Sequence, residues 1–181
     1  MSDHPSQSRW TAATFALEHL SVSLAEFRNR HPYPFLLLDP GAGTRIVERA
    51  GETFGGDRDP WAAPSVAPRE EGVLFAVVAR TPDASGAVTL GRSRDADVVL
   101  PYAQVSKVHA RIAPGPRPQT WRLADLHSSN GSSLNGVPLM EDESLDISDG
   151  DLLCLGGDLP FRFLVAGTLH LWLPALARRA G

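Results

Sequence analysis

Between Ser8 and Asn29 the hydrophobic positions recur at steps of three and four: Trp10, Ala13, Leu17, Leu20, Leu24 and Phe27. Residues spaced in this way share one face of a helix. Glu18, Glu26 and Arg28 fall off that stripe. The pattern predicts one amphipathic helix, capped by Ser8 or Thr11 and ended by His31-Pro-Tyr-Pro34, because residues before proline avoid helical angles. The same spacing fits a short coiled-coil seam, but it lasts under three heptads, which favours a helix packed on its own domain. Phe35-Leu-Leu-Leu38 is a short apolar run, a strand or a docking segment, closed by the turn composition of Asp39-Pro-Gly-Ala-Gly43. From about Gly51 to Gly72 the chain is rich in Gly, Pro, Ala and charge, with Phe54 and Trp61 as its large apolar residues, and it reads as a linker.

After Gly72 the pattern changes. Val73 to Ala79 is an apolar strand, followed by a turn at Thr81-Pro-Asp-Ala-Ser-Gly86. Short strands are expected at 87–90, 97–100, 108–112, 120–123, 133–136, 144–147, 152–155 and 161–165. Turn chemistry separates them: Asn130-Gly131, Asn135-Gly136, Asp149-Gly150 and Gly156-Gly157. Many short strands at close spacing without a helical period point to an antiparallel β-sandwich. The tail from Thr168 is ambiguous. Leu169, Leu171 and Leu173 alternate like a strand, whereas Leu169, Trp172, Leu173 and Leu176 match a helix face, and Pro174 would break a long helix but could begin a short one.

Composition narrows the function classes. Hydrophobic residues make up 43% and charged residues 21% of the 181, as in an ordinary globular protein. A formal net charge of -4 makes a nucleic-acid backbone a poor partner. The one cysteine, Cys154, permits neither an intramolecular disulfide nor a cysteine metal cluster, and its apolar surroundings mark it as a core residue. The N-terminus lacks the features of a signal peptide, and no apolar run approaches the roughly 20 residues that span a bilayer. These features lead to the expectation of a cytoplasmic protein without membrane contact. No Gly-x-Ser-x-Gly elbow, His-Glu-x-x-His zinc site or phosphate-binding Gly-Lys-Ser/Thr loop is present. Ser106, His109 and Asp125 could be imagined as a triad, but a Ser and a His three residues apart at a loop–strand junction need not meet.

The polar residues of the second half carry a resemblance. Leu90-Gly-Arg92, then Ser106-Lys-Val-His109, then Ser128-Ser-Asn-Gly131 with Asn135-Gly136, then Asp149-Gly-Asp151, occur in the order of the forkhead-associated (FHA) domain, which the segment from Val73 to Ala166 closely resembles. Each piece alone has a bland reading as a surface arginine, a turn serine or a hairpin turn; the order of all of them is specific. The resemblance implies an all-β, FHA-type antiparallel sandwich of about eleven short strands that binds phosphothreonine peptides at the loops of one end. It implies phosphopeptide-binding roles for Arg92, Ser106, Lys107, Ser129 and Asn130. It implies structural support of the binding loops by Gly91, His109 and Gly131. The chemistry fits: a phosphothreonine brings about -1.5 to -2 charges and three acceptor oxygens, and Arg92 offers a planar, permanently charged fork. Where the family reads Gly-Ser-Thr-Asn-Gly-Thr, this chain has His127-Ser-Ser-Asn-Gly-Ser132, so peptide preference does not carry over.

The resulting expectation is an N-terminal helical extension over 1–50, a linker over 51–72, an FHA domain over 73–166 and a short apolar tail over 167–181. The function expected is that of a phosphothreonine-dependent adaptor, not an enzyme, with no cofactor and no metal. Its partner would be a phosphothreonine-containing protein, a Ser/Thr kinase or its substrate. The alternative is a phosphate-independent assembly or scaffold protein that uses the N-terminal helix and the tail, with homo-oligomerisation through that helix. The Ala-, Arg- and Pro-rich usage suits a bacterium with a GC-rich genome.

Overall fold

The computed structural model describes residues 9–38 and 72–178. The expected linker, with Phe54 and Trp61, the turn at 39–43 and the candidate cap Ser8 lie outside the described residues.

Twelve strands among the described residues form two sheets. The first seven are β1 (Arg9–Thr11), β2 (Phe35–Leu38), β3 (Val73–Ala76), β4 (Val88–Gly91), β5 (Val98–Val99), β6 (Ala110–Pro114) and β7 (Trp121–Asp125). The others are β8 (Ser132–Leu134), β9 (Val137–Pro138), β10 (Ser144–Ile147), β11 (Leu152–Leu155) and β12 (Leu159–Leu164). One sheet has the order β1-β3-β2-β12-β11-β8-β9 and the other β10-β7-β6-β4-β5. Pairing is antiparallel except between β4 and β5, which run parallel with Leu90 opposite Val98. The expected sandwich is therefore present, with one parallel pair at an edge.

Three helices complete the fold: α1 (Ala12–His19), α2 (Leu24–Arg30) and α3 (Ala166–Ala177). They make a third layer. Leu36, Leu38, Phe75, Phe161 and Phe163 pack between the sheets with Leu90, Ile112 and Leu123. Phe35, Leu37, Leu74, Ala76 and Leu164 face the other way and pack with Phe15 and Ala16 of α1, Phe27 of α2, and Leu169, Leu173 and Leu176 of α3. This double coverage explains why all four residues of β2 are buried, since a strand covered on both faces reads as a continuous apolar run.

The expectation of one helix over 8–29 is corrected. Trp10 pairs with Leu74 in the β1–β3 ladder, and Thr11 caps α1 by accepting the Thr14 N–H at 3.3 Å. After a turn in which the Val22 N–H donates to the His19 carbonyl at 3.1 Å, Ser23 opens α2 by accepting the Glu26 N–H at 3.2 Å. Serine hydroxyls compete with the helical ladder for backbone donors, and Ser23-Leu-Ala-Glu26 carries the spacing of a capping box. The predicted stripe is the buried face only in part: Ala13 and Phe27 are buried, but Leu17 and Leu20 are 54% and 45% exposed, whereas Phe15 and Ala16, which lie off it, are buried.

The ambiguous tail is helical. Pro174 lies inside α3 and is exposed, so the hydrogen bond that its missing N–H cannot give is lost on the outer side. Val165, the N-cap, offers no capping side chain. The service comes from another loop: Asp149 accepts the Val165 N–H at 2.9 Å and also the Thr168 hydroxyl. A carboxylate at this end is favoured by the helix dipole as well.

Candidate functional site

Three loops meet at one end of the sandwich: 92–97 after β4, 100–109 before β6, and 126–131 between β7 and β8. The first two are laced by their backbones. The Arg92 N–H donates to the Ser106 carbonyl at 2.9 Å, the Ser93 N–H to the Lys107 carbonyl at 3.0 Å, and the His109 N–H to the Leu90 carbonyl at 2.8 Å. This approach is so close that a Cβ on Gly91 would sit 2.2 Å from the Lys107 oxygen. Gly91 is thus the residue that lets the two loops touch.

Arg92 is exposed, and its guanidinium is anchored by one edge: Nε donates to the Val105 carbonyl at 3.1 Å. Among the described residues its terminal amino groups have no hydrogen-bond partner and no carboxylate pairs with it. Lys107 is exposed beside it and likewise lacks a carboxylate partner among the described residues. The Ser106 hydroxyl oxygen accepts the Ser129 N–H at 3.0 Å and lies 3.5 Å from the Ser129 hydroxyl. Asn130 donates one amide N–H to the Gln104 carbonyl at 2.9 Å, which leaves its carbonyl oxygen and a second N–H for a ligand. The structure therefore brings Arg92, Ser106, Lys107, Ser129 and Asn130 onto these three loops.

His109 is fully buried behind them. Its Nδ1 accepts the Ser106 N–H at 3.0 Å, so the proton of the neutral ring resides on Nε2, which donates to the Gly131 carbonyl at 3.2 Å. The Gly156 N–H lies 3.2 Å from the same Nε2, but with that nitrogen protonated it gives its hydrogen to the Gly131 carbonyl at 3.0 Å. Burial pushes the imidazole below its ordinary pKa, against the opposing pull of the Gly131 hydrogen bond and of Asp125. The neutral ring therefore ties the second loop to the third, beside the end of β11, while the first loop is held to the second by the backbone bonds of Arg92 and Ser93. Gly131 itself adopts a left-handed φ of +75°.

This wiring bears on the imagined triad. The ring nitrogen nearest Ser106 is occupied by that residue's backbone N–H, not its hydroxyl, and Asp125 stands 3.9 Å from Nε2. The three residues are not arranged as nucleophile, base and orienting acid. Asp125 instead holds the third loop, accepting the Ser128 N–H and hydroxyl, both at 2.7 Å, and the Ser132 hydroxyl. Burial pushes its carboxyl up, but the bonds from Ser132 and Ser128 outweigh that and hold it below the usual aspartate range.

Asp125 in this role is one residue that sequence reasoning missed, although Asp125-x-x-Ser128 has the spacing of a side-chain-closed turn. Gly156 is another: its φ is +69°, and a Cβ there would lie 2.6 Å from the Gln104 carbonyl. Only that carbonyl's position in space reveals the need for glycine. At the far end, Asn135 receives from and gives to the β11 turn, donating to Asp151 at 2.9 Å and accepting the Leu152 N–H at 3.0 Å.

The family model for the FHA domain matches residues 88–156, the segment that carries all of these loops. The chain contains an FHA domain. Its sequence is 40% identical over 57 residues to human transcription factor 19, covering 31% of this chain and 16% of that protein. It is 38% identical over 71 residues to the FHA domain-containing protein FhaA of Mycobacterium tuberculosis, covering 39% of this chain and 12% of that one. The chain thus spans a small part of the length of these relatives. Among solved structures, the N-terminal FHA domain of S. cerevisiae Rad53p in complex with a phosphothreonine peptide is 27% identical, with a TM-score of 0.40, covering 44% of this chain and 67% of that one. The two sheets and the three site loops place this FHA domain's candidate residues at a single end of the sandwich. Among the described residues no helix is long and apolar enough to cross a membrane.

Proposed function

We propose that this FHA domain is a phosphothreonine reader and that the protein acts as a non-catalytic adaptor in Ser/Thr kinase signalling. The observation that carries the reading is the state of Arg92. Its guanidinium is fixed by Nε to the Val105 carbonyl, yet its forked end has no partner among the described residues. A fixed, unneutralised guanidinium suits a doubly charged phosphate. The Ser106 hydroxyl accepts from the Ser129 N–H, and its own proton, given only to the Ser129 hydroxyl across a long 3.5 Å, can turn to a phosphate oxygen. Lys107 supplies the second positive charge, and Asn130 offers the free half of its amide to the backbone of an extended peptide. Ser129 shapes the pocket wall. Gly91, His109 and Gly131 hold the loops in register. The partner in this reading is a phosphothreonine-containing kinase or kinase substrate, met in the cytoplasm.

The test is calorimetry with paired peptides. A phosphothreonine peptide binds, its unmodified twin does not, and Arg92→Ala removes binding while the thermal unfolding curve keeps its midpoint. Truncating one partner of a desolvated charged contact costs about 2–5 kcal/mol, a loss of at least tenfold in affinity. Equal affinity for the phosphorylated and unmodified peptides would sink the proposal.

The assembly reading draws on the helices, whose buried residues pack against this chain's own sheet. Exposed Leu17, Leu20 and Leu171 are what remains for a second copy to touch.

A further inference from the structure

The helical layer contains a chain of polar contacts that the phosphopeptide site does not use. His19 ends α1, His31 follows α2, and Tyr33 leads into β2. The nitrogen Nε2 of His31 lies 3.1 Å from Nε2 of His19. On the outer sides, His19 Nδ1 lies 2.8 Å from the Phe15 carbonyl and His31 Nδ1 lies 3.0 Å from the Tyr33 hydroxyl. A carbonyl can only accept, so His19 Nδ1 carries a proton and donates it. In neutral rings His19 Nε2 is then an acceptor, His31 Nε2–H is its donor, and the Tyr33 hydroxyl donates to His31 Nδ1. Every donor and acceptor is matched once, and one set of tautomers satisfies the whole relay.

The surroundings are aromatic. His19 stacks on Phe15 at 4.3 Å between ring centroids, and His31 lies 4.8 Å from Phe27 and 5.8 Å from Phe35. The charged groups are few, and those that act on His31 are cationic. From α1 the relay meets His19 itself, with Glu18 exposed; from α2 it meets Arg30, whose carboxylate partner is Glu26. From α3, His170 packs on Phe27 at 5.3 Å and its Nε2 contacts the Val22 carbonyl at 2.8 Å. The sheet contributes Phe35, and Tyr33 stays neutral because burial raises its pKa. No carboxylate is among the groups that act on His31, whereas His19 and Arg30 both oppose its protonation. The same shortage argues against a metal ion in this gap, and among the described residues no group of three ligating side chains exists.

We propose that the His19–His31 pair is an acid-sensitive latch that fastens α1 and α2 to the seven-stranded sheet and releases them when the pair takes up protons. The first proton can be housed on His31 Nδ1, with the Tyr33 hydroxyl turning to accept it. The second cannot: it would set two N–H groups face to face across 3.1 Å, and the rings must part. Burial, His19 and Arg30 together lower His31 from 6.5 to about 4. Between those values the opened layer binds more protons than the closed one, so opening gains as pH falls through that window and is suppressed above it. Parting of the layer uncovers Phe35, Leu37, Leu74, Ala76 and Leu164 on the outer face of the sheet.

The experiment is hydrogen exchange by mass spectrometry on the full chain at pH 7.0 and pH 4.5, corrected for intrinsic exchange rates. Peptides covering α1, α2 and α3 are expected to lose protection on the order of tenfold at the lower pH, with solvent screening of the half-exposed pair already discounted. In His31→Gln the acid-induced loss shrinks to within about threefold. Because that variant could misfold, proton NMR of the imidazoles in the wild-type chain gives an independent answer: two separated titration steps for the pair, the lower one coincident with loss of protection. Two independent histidines titrating near their ordinary value, unchanged protection at pH 4.5, or an undiminished acid effect in His31→Gln would each overturn the latch.

Discussion

His109→Leu is the substitution that best tests whether the pocket is held from behind. Leucine keeps the bulk of the side chain at a site with no exposure, so the change acts through hydrogen bonds. The Ser106 N–H loses its acceptor at 3.0 Å, and stranding a buried donor costs about 1–3 kcal/mol. Loss of the donation to Gly131 adds about 0.5–1.5 kcal/mol, towards the lower end because the Gly156 N–H still reaches that carbonyl at 3.0 Å. The sum is about 2–4 kcal/mol, a large share of a typical stability of about 5–15 kcal/mol. Urea unfolding followed by fluorescence reads it directly: with a slope of about 2 kcal/mol per molar, the midpoint falls by about 1–2 M at unchanged slope. Phosphopeptide affinity should fall in parallel, since the loops that carry Ser106 and Gly131 lose their common tie. His127→Asn is the control, an exposed position with φ of +54° that asparagine tolerates, and it should move stability by less than about 0.5 kcal/mol. A His109→Leu midpoint equal to that of the control would refute the reasoning, and His109 would then be ordinary packing.

Two further substitutions probe other contacts. Gly91→Ala sets a methyl 2.2 Å from the Lys107 carbonyl, so the loops must separate at a cost of about 1–3 kcal/mol; a lowered melting temperature by circular dichroism, with weakened phosphopeptide binding, is the expected result. Asp149→Ala removes the acceptor for Val165 and Thr168 at the start of α3, which should cost about 0.5–2 kcal/mol and appear as faster amide exchange confined to the first turns of that helix.

The sandwich was legible because its turns announce themselves. The ranges 144–147 and 152–155 were placed to the residue, each bounded by Asp149-Gly150 or Gly156-Gly157. The candidate loops were legible for a different reason: Arg92, Ser106 and Asn130 recur in a family order, and that order locates them before any geometry is known. The N-terminal region was hard to read because two signals compete there. Trp10 suits a helix stripe equally well as the outward position of a strand, and its pairing with Leu74 decides the matter from more than sixty residues away. Asp125 was hidden for a similar reason, since its ligands include Ser132 across a loop. The strand at 97–100 is legible as β5, but its parallel direction, like the short β9, rests on ladder contacts that no local pattern encodes.

The position of β2 sets a timetable for the chain. Phe35–Leu38 lies between β3 and β12, with Phe161 opposite Leu38 and Leu164 opposite Phe35. A ribosome emits this strand about 120 residues before its neighbour β12, so the nascent strand must remain without that neighbour while the strands between them emerge. The five strands of the second sheet, all within 88–147, can meet sooner over shorter loops. Pairing across so long a separation carries a loop-closure cost that local hairpins avoid. The candidate site loops are thus expected to assemble before the seven-stranded sheet closes, leaving one edge of an apolar strand exposed to wrong partners, or to chaperones, until β12 emerges.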